Sequence, residues 1–381
     1  MSQNSPYRNF SYLSVARFGA IALQAVFYLL FAAILEPELY GELNYFIAIA
    51  GTTALLSRFG LSQTVTVFRA KENSKLADQV NTLAIISSSV AAIILISFDL
   101  FTALLALAIS FFVMNQGNLL GFRNYKKYAI FTILKNVLII ALPLALYFVL
   151  DIPGIILGMA IANFVASAPF FKILKIKSIV KLKKSAKVII HNFGVDASTN
   201  LSRLVDKLLV APLLGFFVLG IFQFNMQILF ALEIIPAILY AFLLSEESSG
   251  ASHKKIIYLG LFASVILAIL AMILAPFGVG EFFPKYYEGV LGLQVLVFSI
   301  IPLSISAILN AKLQARESTK IGYSAVVRIG SLLILIALLG ELYGFVGLSV
   351  AVLMSVIINT VFLFFLYKKK SNHTNLNSSQ K

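Results

Sequence analysis

The chain has 381 residues, of which 60% are hydrophobic and 12% charged, with a mean hydropathy of +0.95 and a formal net charge of +14. A soluble domain carries about twice that share of charged residues, so a water-soluble fold is excluded. Cysteine is absent, which removes disulfide and thiolate chemistry; tryptophan is absent too, which leaves interfacial anchoring to tyrosine and lysine, as at Tyr286 and Tyr287 or from Tyr367 to Lys370.

A membrane span needs roughly 20 apolar residues. Twelve such runs are read in chain order at 11–35, 43–67, 81–98, 101–120, 128–150, 153–174, 190–213, 217–244, 256–278, 289–311, 321–340 and 343–367. They predict an all-α polytopic membrane protein of about 12 transmembrane helices in two parallel six-helix bundles, residues 1–171 and 189–370. A basic linker at 172–188 joins the bundles, and a polar, disordered tail follows at 371–381. Only Asp99 divides the third run from the fourth. One helix through both would be about 60 Å long, against a hydrocarbon layer of about 30 Å, so two spans are expected. The first run is too long for a cleavable signal.

Positive charge tests the parity. With both termini in the cytoplasm, 24 of the 30 Lys and Arg residues fall in inner segments. These hold Arg8, Arg58, Arg69, Lys71, Lys75, Arg123, Lys126 and Lys127, then seven lysines from Lys172 to Lys187. Lys254, Lys255, Lys312, Arg316, Lys320, Lys368 to Lys370 and Lys381 complete the set. The outer loops hold only Lys285, and Arg17, Lys135, Arg203, Lys207 and Arg328 lie inside spans. That split follows the positive-inside rule and places the chain in a plasma (inner) membrane. The outer turns are acidic, with Glu36, Glu38, Glu42, Asp99, Asp151, Glu281, Glu288 and Glu341. The net charge therefore reports orientation and attraction to anionic lipid rather than a nucleic-acid partner.

In the linker, lysines alternate with Ile173, Leu174, Ile176, Ile179, Val180 and Leu182, a pattern that fits an amphipathic helix lying on the inner leaflet. The plainer reading is a basic connector that only sets topology. The halves read as repeats. Glu38-Leu-Tyr-Gly-Glu-Leu-Asn-Tyr-Phe46 and Phe217-Val-Leu-Gly-Ile-Phe-Gln-Phe224 superpose with Gly41 on Gly220, an offset of 179. Asp151-Ile-Pro-Gly-Ile-Ile-Leu-Gly158 resembles Glu341-Leu-Tyr-Gly-Phe-Val-Gly-Leu348 at an offset of 190, and the longer loop around Glu281 to Tyr287 absorbs the difference. Six spans per half make these parallel repeats about an axis along the membrane normal.

Ionisable groups in a span are costly and mark functional candidates. On span seven, Asn192, Asp196, Asn200, Arg203 and Lys207 recur at spacings of three or four and form one polar face. Such a face meets protein or a water-filled cavity. Shifted back by 179, it falls on span one at Arg17, Gln24 and Tyr28. Against this stands snorkelling: Arg17, Lys135 and Arg328 lie about two turns from their inner ends, and Arg58 can be interfacial. Arg203 is too deep to snorkel but has Asp206 one turn on. Glu233, near the middle of span eight, fits a proton carrier, an arginine partner or a neutral acid. Gly154, Gly158 and Ala162 have the spacing of close helix packing.

No phosphate-binding loop and no cluster of metal-ligating residues is present. His253 and His373 lie in polar segments and His191 opens span seven, so no nucleophilic triad can be built. No cofactor is expected. Coupling to protons, sodium or the membrane potential remains open at this stage.

Three stretches carry a family resemblance. They are Leu35-Glu-Pro-Glu-Leu-Tyr-Gly41 with Ser57-Arg-Phe-Gly60; Asp206-Lys207 with Gly215 and Leu219-Gly-Ile-Phe222; and Phe283-Pro-Lys-Tyr-Tyr-Glu-Gly289 with Ile308-Leu-Asn-Ala311. Through Lys370 the chain resembles the multidrug/oligosaccharidyl-lipid/polysaccharide (MOP) exporter superfamily. Within it, the chain looks most like the polysaccharide flippase branch, the Wzx-type O-antigen and teichoic-acid exporters. It is short for that branch, and Phe222 stands where tyrosine is common. The resemblance implies a central cavity lined by spans one, two, seven and eight, with alternating access. A basic cavity of this kind accepts a pyrophosphate and its sugars while the polyprenyl tail stays in lipid. Mapped onto this chain, Arg17, Gln24, Arg58, Asn200, Arg203 and Lys207 bind substrate, while Asp196, Asp206 and Glu233 balance charge or couple ions.

Three functions compete. The first is transfer of a lipid-linked oligosaccharide to the outer leaflet, with membrane lipids and glycan-assembly proteins as partners. The charged groups would bind the diphosphate, and Asp196 would pair with Arg17 when the site is empty. The second is a cation- or proton-coupled multidrug exporter of the same superfamily. The third, a membrane glycan polymerase or ligase, needs a substantial outer loop with acid/base residues. The longest outer loop, Gly278 to Tyr287, has only Glu281 and Lys285, so no enzyme is expected.

Overall fold

The computed structural model describes residues 6–179, 182, 185–248, 254–315 and 322–378. Val180, Lys181, Lys183, Lys184, His253, Arg316, Lys320 and Lys381, read above, lie outside the described residues. Every element among the described residues is helical.

Helix α1 (Pro6–Ile34) turns at Leu35 and Glu36 into α2 (Pro37–Arg58), and α3 (Leu61–Ala70) follows. The sequence predicted one span at 43–67; instead α2 and α3 meet at 48°. Phe59 (φ 24°) and Gly60 (φ 81°) make the bend, and Gly60 is the residue type that takes the left-handed conformation without strain. Helices α4 (Ser74–Ile96) and α5 (Leu100–Gly121) are separate, as Asp99 implied. The Asp99 carboxylate caps α5 by accepting a 2.6 Å hydrogen bond from the Thr102 amide.

Helix α6 (Tyr125–Ala166) contains a break at Asp151 (φ 51°, ψ −137°). A Cβ on Gly154 would strike the Leu146 carbonyl, and one on Gly158 would strike the backbone of Pro143. In a straight helix residues 143 and 158 would be about 22 Å apart. The chain therefore folds back at Asp151 into an antiparallel hairpin, closed by the small residues Gly154, Gly158 and Ala162. After α7 (Ala168–Ile173) the predicted amphipathic helix is absent: residues 174–179 are non-helical. Thr82 on α4 explains this, because its hydroxyl oxygen takes the Lys177 amide at 3.0 Å, a donor that a helix would need for itself.

Beyond the linker come α8 (Ala186–Asn200), a 3-10 turn at Leu201–Arg203, and α9 (Val205–Leu232) with a break at Gly215 (φ 84°, ψ 170°). The predicted continuous span at 190–213 is thus interrupted. The sequence here, Ser198-Thr199-Asn200 and Ser202, is made of residue types that favour caps and turns over helix interiors. The remaining helices are α10 (Ile234–Ser248), α11 (Lys254–Phe282), α12 (Val290–Leu296), α13 (Ile300–Ala315) and α14 (Gly322–Ser378). Helix α14 breaks at Gly344 (φ 53°, ψ −131°), and Gly347 packs against the Leu339 carbonyl, so it too is a hairpin. Asp151 and Gly344, Leu146 and Leu339, and Gly154 and Gly347 are each 193 residues apart. That spacing replaces the offset of 190 read from the sequence. The tail from Ser371 to Ser378 continues α14 rather than being disordered, since a helix carries its own hydrogen bonds past the bilayer.

Among the described residues eight helical runs are long and apolar enough to cross a membrane, or nine if the bent pair α2–α3 is one span. The hairpins α6 and α14 each count once among the eight. The chain forms two compact units: Met1–Phe31 with Leu43–Val205, and Ala32–Glu42 with Asp206–Lys381. Each sequence half thus lends a segment to the other's unit. The first turn joins the second unit, and α8 joins the first.

Candidate functional site

In the first unit, the bend between α2 and α3 is where α8 lands. A Cβ on Gly60 would collide with the backbone of Asn192 and Phe193, so glycine is required here for contact as well as for φ. Around that contact polar groups pair. The Asn192 amide donates to the Thr64 hydroxyl at 2.9 Å, Thr64 donates to the Gly60 carbonyl at 2.9 Å, and Ser62 donates to the Asp196 carboxylate at 3.3 Å. Arg58, the last residue of α2, is only 5% exposed. It lies in the electrostatic field of Asp196. Its Nε and Nη1 have no hydrogen-bond partner among the described residues. A guanidinium has five donors, and leaving two of its nitrogens buried and unanswered costs about 1–3 kcal/mol each.

The other predicted residues are distributed as follows. Arg17 and Gln24 are exposed on α1, with Arg17 in electrostatic reach of Tyr128. Arg203 is exposed in the 3-10 turn, not on a continuous helical face with Asp196 and Lys207 as the spacing implied. The Asn200 side chain lies outside the described residues. In the second unit, Asp206 (2% exposed) and Lys207 (5%) form a 3.4 Å ion pair at the start of α9. Glu233 is half-buried at the joint of α9 and α10. Lys135, read as a snorkelling residue, also places its ammonium 5.4 Å from the Phe112 ring centre. Among the described residues no group of three or more His, Asp or Glu side chains is set to hold a metal ion.

A contact of different character lies in the second unit. A Cβ on Gly41 would strike the Phe216 carbonyl, and one on Gly220 would strike the Pro37 carbonyl. Phe216 and Gly220 follow Pro37 and Gly41 by 179 residues each, so the contact is reciprocal, as a twofold axis demands. Tyr40 meets the Tyr286 ring edge-on at 5.9 Å, Tyr286 stacks on Phe224 at 4.5 Å, and Lys285 pairs with Glu36 at 2.9 Å.

Sequence reasoning missed Ser62, Thr64 and one more polar position. Asn44 and Gln223 are both fully buried, and both amide atoms of Gln223 lack partners among the described residues. The offset of 179 had already superposed these two residues. Their burial was not legible, because each sits in an apolar run with ordinary periodicity.

No family model matches the sequence, and a comparison with curated proteins finds no match. Solved structures do match. One is a lipid II flippase, MurJ, in an inward closed conformation: TM-score 0.76 and 18% identity, over 93% of this chain and 87% of that one. A multidrug resistance MATE family transporter of the MOP superfamily matches in an inward-facing conformation, with TM-score 0.71 and 13% identity over 97% and 99% of the two chains. An outward-facing conformation from the same family matches with TM-score 0.62 and 14% identity, over 97% and 96%. The chain therefore shares the all-helical, multi-pass membrane fold of these solved structures.

Proposed function

We propose that this protein moves a polyprenyl-diphosphate oligosaccharide from the cytoplasmic to the outer leaflet by alternating access, within surface polysaccharide (O-antigen-type) assembly. The observation that carries the reading is Arg58. It is a buried guanidinium with two nitrogens that have no hydrogen-bond partner among the described residues, at a bent span and in the field of Asp196. A diphosphate answers those donors with charge-assisted hydrogen bonds, and a cationic drug would repel them. Arg17, Arg203 and Lys207 add positive charge, Gln24 and Asn200 offer amides to sugar hydroxyls, and Asp196 compensates Arg58 while the site is empty. The similarity to a lipid II flippase supports a lipid-linked substrate. In this reading α6 and α14 each supply two spans, and residues 186–214 and 216–244 supply another pair, which gives twelve with both termini in the cytoplasm.

A multidrug exporter is the second reading, favoured by the similarity to MATE transporters and by the buried carboxylates Asp196 and Asp206. Complementation of a flippase-null strain separates the two. Wild type restores export of lipid-linked glycan, and Arg58→Ala at equal membrane level does not. Restored drug resistance without restored export, abolished by Asp206→Asn, would replace the first reading with the second.

A further inference from the structure

The inter-bundle linker is built in a way that its composition does not explain. On its N-terminal side Phe170 is fully buried, and on its C-terminal side Leu182 (5% exposed) and Ile189 (8%) enter the same apolar cluster of α3, α4 and α5. Between these anchors, Thr82 clamps the backbone. Its hydroxyl oxygen accepts from the Lys177 amide at 3.0 Å while its proton goes to the Asp78 carbonyl at 2.9 Å, with the Lys175 carbonyl 3.5 Å away. Thr82 sits one helical turn from Asp78, and Asp78 forms a 2.6 Å ion pair with Arg69. Arg69 also donates to Asn118 at 3.1 Å and lies 4.7 Å from the Phe122 ring centre. The clamp is therefore tied to a buried, hydrogen-bonded network that joins α3, α4 and α5.

What the clamp presents is unusual for a connector. Lys175 and Lys177 are exposed, and between them Ile176 is 80% exposed, with Phe171 (46%) and Lys172 on the approach and Lys187 beyond. No Asp or Glu occurs from residue 152 to residue 195. A solvated connector gains nothing from fixing a large apolar side chain outward between two cations. A membrane interface rewards that arrangement, because the apolar group enters the acyl boundary while lysines meet phosphates.

We propose that this strap, Phe171 to Lys177 with Lys187, is a docking surface for anionic phospholipid headgroups of the leaflet on its own side, predicted from the charge distribution to be the cytoplasmic one. Ile176 is its inserted anchor. The strap holds these headgroups at the bent-span end of the first unit, through Thr82 and the Arg69–Asp78 pair. The occupant is a bilayer lipid, and the surface is separate from Arg58 and the transported substrate.

The absence of tryptophan makes the test clean. Ile176→Trp creates a single tryptophan, excited at the red edge apart from the 15 tyrosines, at a position that is 80% exposed. The variant is reconstituted in vesicles of phosphatidylglycerol and phosphatidylcholine, with brominated acyl chains on one species or the other at equal mole fraction. Quenching at least about twofold stronger when the anionic lipid is brominated is expected, given the attraction of several lysines to an anionic surface. That ratio should fall toward one in the Lys172→Gln, Lys175→Gln, Lys177→Gln background. Equal quenching by both lipids would mean unselective lipid contact and overturn the proposal. No quenching by either would return the strap to a solvated connector, and a preference surviving the triple substitution would place the selectivity elsewhere. Glycan export plays no part in the readout, so failure here is distinct from failure of the transport reading.

Discussion

The two segments that change units share a glycine-to-backbone contact and differ in the side chains around it. The first turn, Ala32–Glu42, packs by backbone: Gly41 and Gly220 touch main chain to main chain, ringed by Tyr40, Phe224 and Tyr286. Helix α8 also lays its backbone on a glycine, Gly60, but adds polar side chains: Asn192 on Thr64 and Asp196 on Ser62, beside the buried Arg58. The first contact has no room to spare, and its ion pair, Glu36 with Lys285, lies at its exposed rim. The second leaves hydrogen-bonding capacity unused. Glycine packing among aromatic rings gives a contact that buries no charge, whereas unanswered donors give a contact that can hold something else. Under the transport reading the first is a seam and the second is a site.

Substitutions can break that contrast. The largest effect is expected at the seam. Gly41→Val or Gly220→Val drives a side chain into backbone, which has no rotamer to yield, and should cost about 3 kcal/mol or more as read by thermal unfolding in detergent. Gly194→Ala on α8, where a Cβ meets nothing within 4 Å, should be neutral or stabilising by up to about 1 kcal/mol. Equal damage from both would mean that glycine matters here for flexibility and not for approach.

At the site, Asp196→Asn leaves the Arg58 charge less compensated and should lower stability by about 2 kcal/mol. Adding Arg58→Met should recover most of that loss, and a strictly additive double variant would show that the two groups do not couple. Arg58→Met alone should hold stability level or raise it by about 1 kcal/mol while export falls at least about tenfold. A variant that both unfolds and loses export would recast Arg58 as a structural residue. The smallest effect is expected at the rim of the seam. Glu36 and Lys285 are 64% and 38% exposed, so Glu36→Gln should change unfolding by under about 1 kcal/mol, screened further by salt.

The membrane class, most helix ends and the first repeat offset were legible because hydropathy, turn residues and lysine placement are local signals. Asp99 separated α4 from α5, and the glycines at 41 and 220 met where an offset of 179 implied. The closing offset came out three residues short, because Gly154 was matched to Gly344. The hairpin turn at Asp151 instead pairs with the one at Gly344. The breaks after Arg58 and at Leu201 were not legible. Apolar periodicity runs straight through the first, and the polar residues at the second were counted as a stripe on one face. Arg58 read as interfacial from its place in the chain and as a cavity residue through the family resemblance, and nothing in its neighbours along the chain reveals that it is buried. The linker misread is instructive in the other direction. Its alternation suits a helix, and a single threonine on α4 redirects its backbone.

The most direct test of the central claim is equilibrium binding of a polyprenyl-diphosphate oligosaccharide to the purified protein, wild type against Arg58→Ala, with a lipophilic cation as competitor. Saturable binding that weakens at least about tenfold in Arg58→Ala, and that the cation does not displace, is the predicted result. Binding of the cation instead, unaffected by Arg58→Ala and lost in Asp196→Asn, would contradict it and make the site a drug pocket.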